Sequence, residues 1–244
     1  SVNAAWGNPC DWLDHNATVI CRFKASARGA PPAPPEVPVG PNIQTHTGSA
    51  APIRTYQDLL ANAHDEALFD YYFTAQIATI DLATGSRTSI GQPGLYHQVS
   101  ASPDGKYFLV VEVQRPFSWL VTARSFPKDV TIRNRSGELL AMVATLPLAD
   151  TVPIGGVATG PRDFVWNPAV PHTLVWAEAL DGGDPRQTVP HRDRLLSHTA
   201  PFNDDPTELA RTEFRFRNIT WTEAGMGLLT ENDRLTRWTR TSVL

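Results

Sequence analysis

Residues 99–113, VSASPDGKYFLVVEV, decide the fold. Asp104-Gly105 is a strong signal for a tight hairpin turn, because both central positions of such a turn must tolerate positive φ. After the turn, Tyr107, Leu109, Val111 and Val113 fall on one face of a strand, and Phe108 and Val110 on the other. A strand apolar on both faces belongs in a sheet that is covered on both sides.

The same pattern recurs along the chain. CDWLDHNATVICRF (10–23), FVWNPAVPHTLVWAEA (164–179) and ITWTEAGMGLLTEN (219–232) each read as two antiparallel strands around a tight turn. Between these hairpins lie second strand pairs: YFTAQIATIDLATGSRTSIG (72–91) turning at Thr84, Gly85 and Ser86, DVTIRNRSGELLAMVATL (129–146) turning at Ser136 and Gly137, and DRLLSHTAPFNDDPTELAR (193–211). A unit of about four strands thus repeats at intervals of roughly 90, 65 and 55 residues, longer than the about 40–50 of compact propeller repeats. Insertions explain the excess. The largest spans residues 27–70: a proline-rich stretch, ARGAPPAPPEVPVGP, then a helical signal, TYQDLLANAHDEALFDYY. Thr55 is its expected N-cap, with Leu59, Leu60, Ala63, Ala67 and Leu68 as the apolar stripe; the alternative is a break near Asn62. The expected fold is all-β: a partial β-propeller of about three four-stranded blades, with incomplete blades at both ends. Residues 1–244 form part of one propeller domain whose ring is completed by residues outside this chain.

Bulk properties exclude some classes. The chain has 244 residues, 41% hydrophobic, and a formal charge of −4, so nothing marks a nucleic-acid binder. No apolar run approaches the about 18 residues of a membrane span. Twenty-one prolines and sixteen glycines leave little room for long helices. Cys10 and Cys21 sit at matched positions across the first hairpin. They are either a disulfide, which favours an exported (periplasmic or secreted) protein, or two reduced core thiols. The seven histidines include no i, i+4 pair, and there is no Cys-x-x-Cys, so no metal or other cofactor is expected.

A linked series of motifs adds a resemblance. QRPFSW from 114, FPKDV from 126, LPLAD from 146, GPRDFVW from 160 and EALDGGDP from 178, with SPDGKY from 102, are similar in order and spacing to the propellers of prolyl oligopeptidase family serine peptidases, glutamyl endopeptidase branch. The resemblance covers about residues 10–241. It implies a seven- or eight-bladed propeller capping an α/β-hydrolase domain that carries the catalytic Ser, Asp and His. The propeller restricts access and lines the substrate cavity. No G-x-S-x-G nucleophile elbow occurs in this sequence, so no catalytic residue is assigned to it. The implied partners are a peptide substrate and the hydrolase domain of the same parent protein.

A peptidase that prefers glutamate must recognise a carboxylate, which arginine does best through paired hydrogen bonds. Arg115 is the first candidate for substrate contact, because it follows a strand and opens the loop RPFSWLV; the alternative is a brace for that loop. Arg124 and Arg162 are further candidates. Arg237 and Arg240, in RLTRWTR, are a third possibility for substrate contact; the alternative, from their alternation with Trp238, is solvated or inter-blade strand positions. Asp181 and Asp184 in DGGDP read as a tight turn, and Glu178 as either a cavity residue or an arginine partner. Trp12, Trp166 and Trp221 recur at equivalent points of successive units and read as core. Two functions remain: the substrate gate of a serine peptidase, or a non-enzymatic propeller that binds protein or glycan through its loops.

Overall fold

The computed structural model describes residues 1–14, 17–36, 40, 56–222 and 225–244. The expected cap at Thr55, His15, His46 and residues 37–39 and 41 of the proline-rich stretch lie outside them.

Among the described residues, fifteen strands form four antiparallel sheets in strict chain order. The first contains β1 (Cys10–Asp14), β2 (Thr18–Lys24), β3 (Ala75–Asp81) and β4 (Arg87–Gly94). The second contains β5 (Tyr96–Ala101), β6 (Tyr107–Val113), β7 (Lys128–Asn134) and β8 (Leu139–Leu146). The third contains β9 (Arg162–Trp166), β10 (Thr173–Ala179), β11 (Asp193–Thr199) and β12 (Thr207–Thr212). The fourth has three strands: β13 (Arg215–Trp221), β14 (Gly227–Asp233) and β15 (Trp238–Val243). All four expected hairpins and all three second pairs are present. The N-terminal end differs from expectation. The first hairpin opens a full four-stranded sheet, and ahead of it the described residues hold only an isolated bridge from Val2 to Phe23. The incomplete sheet is the fourth.

Each sheet packs face to face on the next. Phe108 and Val110 of β6 join Leu13, Ile20 and Ile77 of the first sheet, while Leu109 and Val111 join Leu174, Trp176 and Leu196 of the third. In β10 the alternation repeats: Leu174 and Trp176 face the second sheet, Val175 and Ala177 face Phe216, Ile219 and Leu229 of the fourth. Alternate residues of a single strand therefore serve two different cores, as consecutive propeller blades require. Arg22 locks the first blade to the second, donating to the carbonyls of Tyr96 at 2.9 Å and His97 at 3.0 Å.

Topology separates the connections into two poles. In a meander of strands one to four, the first and third turns share one end; the second turn and the link to the next sheet share the other. The first-turn end is short and tightly packed. Gly105 there has φ +66, and a Cβ on it would lie 2.3 Å from the Leu13 carbonyl oxygen of the preceding hairpin. The Asp104 carboxylate is 3.7 Å from His172 of the following one, and a Cβ on Gly225 would lie 2.9 Å from Ala169. Four successive hairpin tips thus touch in order.

The opposite pole carries the long connections. Between β2 and β3 stands α1 (Ala63–Phe73). Its cap is Asn62, not the expected Thr55: the Asn62 side chain accepts from the Asp65 N–H at 3.0 Å, and Asp58 takes φ 55 just upstream. The buried contact is Phe69, whose ring meets Phe73, Phe117 and Phe126, instead of the leucine stripe expected. Trp166 is buried and Trp221 packs on the third–fourth interface, but Trp12 is 56% exposed and is not core.

Candidate functional site

The long-connection pole is walled by residues 147–161, which link β8 to β9. Ser125 accepts from the Ala149 N–H at 2.9 Å, and the Gly183 carbonyl accepts from the Val157 N–H at 3.1 Å. Two pairs of glycines make this contact possible. Gly183 has φ +77, a Cβ on it would lie 2.1 Å from the Val157 carbonyl oxygen, and a Cβ on Gly156 would lie 2.3 Å from the Gly183 oxygen. The 155–156 and 182–183 doublets were the sequence signal for this junction.

The wall divides two cavities. One, of about 490 Å³, lies between the second and third blades and is lined by His97, Lys128, Arg162, Asp163 and Phe164. The other, of about 880 Å³, opens toward the fourth blade. Arg124, Ser125, Val152, Pro153 and Val157 line both. The motif residues Phe126, Lys128, Leu146, Pro147, Pro161, Arg162, Gly182 and Pro185, spread over three connections in the sequence, all reach one or the other.

The first cavity is electropositive. Lys128 is buried and donates to the carbonyls of Arg124 at 2.6 Å and Phe126 at 2.8 Å; burial pushes its pKa down to about 8. Burial, followed by the charges of Lys128, Arg22 and Arg124, pushes the His97 pKa down to about 4. His97 is thus a neutral imidazole at physiological pH, packed edge-on against Trp6 at 4.6 Å between ring centres.

Behind the second cavity lies a buried charge network. Asp181 and Asp193 have fully buried side chains. Asp181 accepts from Arg192 at 2.9 Å, from Arg215 at 2.5 Å and from the Gly183 N–H at 2.9 Å. Asp193 accepts from Arg215 at 2.5 Å and from the Phe216 N–H at 2.6 Å, and lies 2.6 Å from Arg162. Arg215 of the fourth blade therefore bridges two carboxylates of the third. Buried carboxylates satisfied this fully fix geometry, because losing any partner strands a charge.

The three candidate arginines have different surroundings. Arg115 is held by Glu66 at 2.8 Å and by Asp70, both on α1, and its guanidinium lies 4.2 Å over the Phe117 ring. These contacts brace the loop against the helix; the Arg115 hydrogen bond, chiefly, holds the Glu66 carboxyl below its usual range. Arg162 is mostly buried and pairs with Asp193 and, at 2.5 Å, with Asp163. Arg124 lines both cavities, and its guanidinium forms no ion pair among the described residues. Of the other charged candidates, Arg237 lines the larger cavity, Arg240 pairs with Glu231 at 2.8 Å and Glu213 at 3.0 Å, Glu178 pairs with Arg194 at 2.8 Å, and Asp184 pairs with Arg186 at 2.7 Å. Cys10 and Cys21 form a disulfide with S–S 2.06 Å, on the face of the first blade turned away from the second.

No family model matches the chain. The chain is 37% identical over 238 residues, 96% of its length, to "Probable glutamyl endopeptidase, chloroplastic" of Oryza sativa subsp. japonica. It is 36% identical over 238 residues to the protein of the same name from Arabidopsis thaliana. It spans about a quarter of the length of these curated relatives, 25% and 24%. Among solved structures, an acylaminoacyl peptidase of Pyrococcus horikoshii matches with a TM-score of 0.47 and 12% identity, over 72% of this chain and 28% of that one. The chain is a partial β-propeller. More particularly, it is related over nearly all its length to glutamyl endopeptidases, the branch of the prolyl oligopeptidase family that its motifs resemble.

Proposed function

We propose that this chain is the substrate-gating propeller portion of a serine peptidase that prefers glutamate at the cleavage site. Residues 1–244 are part of one propeller domain, interrupted by the insertion at 27–70, and the chain by itself is inactive. The nucleophilic Ser, with its Asp and His, belongs to an α/β-hydrolase domain of the same parent, which performs the acyl transfer. The propeller admits peptides and lines the chamber. The observation that carries this reading is the 37% identity to a glutamyl endopeptidase over 96% of the chain, with the motif residues converging on two adjoining cavities. The disulfide and the chloroplastic relatives favour a compartment outside the reducing cytosol.

Within the site, Arg124 is the residue we assign to the substrate carboxylate, because it alone of the three candidates has an uncommitted guanidinium. Arg115 and Arg162 act as positioning residues, one through α1 and the other through Asp193. The test is kinetic and uses the full-length parent. Arg124→Ala lowers the preference for Glu over Gln substrates by about tenfold or more, through KM, as loss of a charge-assisted contact requires. Unchanged discrimination would remove the assignment.

A further inference from the structure

The larger cavity holds more positive charge than one carboxylate needs, in a chain whose net charge is −4. Seven arginines line it. Three are neutralised inside the protein: Arg192 and Arg215 by Asp181, with Asp193 also on Arg215, and Arg186 by Asp184. The other four, Arg124, Arg217, Arg234 and Arg237, form no ion pair among the described residues. The unpaired carboxylate of the lining is Asp233, and it is turned inward to its own tight turn, accepting from the Leu235 N–H at 3.1 Å and the Thr236 hydroxyl at 2.7 Å. These four arginines arrive from three elements, Arg124 from the 114–127 connection, Arg217 from β13 and Arg234 and Arg237 from the β14–β15 turn, so no single local sequence requirement gathers them. Like charges in one concavity repel, and an anionic occupant relieves that repulsion.

The volume, about 880 Å³, suits a stretch of several residues rather than one side chain. Apolar lining from Val121, Val152, Ile154 and Leu235 suits the methylene stems of glutamate. Among the described residues the lining has one aromatic ring, Tyr56, which leaves little to stack nucleic-acid bases against. We infer that this cavity receives an acidic run of a peptide, several carboxylates long, beyond the residue at the cleavage site. The inference rests on the peptide-handling role proposed above and names the substrate class of that site.

The test is equilibrium binding to the full-length parent, read by fluorescence anisotropy. The probe is a labelled octamer of D-glutamate, which resists hydrolysis; the control is the D-glutamine octamer. The acidic octamer binds at least about tenfold more tightly than its control, and the difference collapses in about 0.5 M salt. Arg217→Glu combined with Arg234→Glu weakens the acidic octamer by about tenfold or more, and the Arg217→Lys, Arg234→Lys pair restores most of the loss. Both side chains are exposed, and an unchanged thermal transition shows that the variants fold. Equal binding of the two octamers, indifference to the charge reversal, or tighter binding of a single-stranded oligonucleotide of equal charge would overturn the inference. Because the readout is binding, its failure leaves hydrolysis and glutamate preference standing. Conversely, acidic binding by a parent that cuts nothing removes only the peptidase reading.

Discussion

At one pole of the blades the chain reverses within a few residues, as in the Ser102–Lys106 turn, and successive hairpin tips lock together through Gly105, Asp104 and Gly225. At the other it travels from Lys24 to Ala75, from Val113 to Lys128 and from Leu146 to Arg162 before the next strand begins. The first pole is held by backbone packing on glycines. The second is held by side-chain charge, aromatic contacts and one glycine junction, and it contains both cavities. Scaffold and chemistry are thus divided between the two ends of the same strands, the usual economy of rigid sheets that present variable loops.

The most damaging change at the long-connection pole is Asp193→Asn. It leaves Arg162 and Arg215 facing a neutral group in a buried site and lowers stability by about 3–5 kcal/mol, read as a shift in the chemical-denaturation midpoint.

His97 gives the next effect. Its folded pKa, about 4, lies below the ordinary 6.5, so the unfolded chain binds the proton first. Stability is complete above pH 6.5 and falls as pH drops from there toward 4, by up to about 2–3 kcal/mol. His97→Gln flattens that fall; an identical pH dependence in the variant assigns it to other groups.

Gly183→Ala and Gly105→Ala set the poles against each other. Both place a Cβ against a backbone carbonyl at positive φ and lower stability by about 1–3 kcal/mol. Only Gly183→Ala moves the 147–161 wall, so it alone alters peptide kinetics in the parent.

Arg115→Ala is the mildest. The ion pairs with Glu66 and Asp70 are half-exposed, and the stability change stays within about 1 kcal/mol. The preference for Glu over Gln falls less than with Arg124→Ala.

The scaffold pole was legible in the sequence because its determinants are local. Asp104-Gly105 dictates the turn, and the alternation of Phe108 and Val110 with Leu109 and Val111 announces two buried faces. The other pole was not. Arg115 meets Glu66 and Asp70 across 49 and 45 residues, so whether it braced or bound depended on where α1 docks. The start of α1 was misplaced because Thr55 and Asn62 are both acceptable caps, and the docking of Phe69 on Phe117 and Phe126 chose between them. Arg217, Arg234 and Arg237 meet Arg124 only after three blades have been laid side by side. Trp12 misled because the repeat places it like Trp166, while its own strand leaves it open.

The orientation of the blades against the catalytic domain tests the account most directly. An experimental structure of the full-length parent shows the 147–161 wall, Arg124 and the two cavities turned toward the hydrolase domain. Finding Gly105 and the other hairpin tips against that domain, with the arginine-lined cavity facing outward, would contradict it.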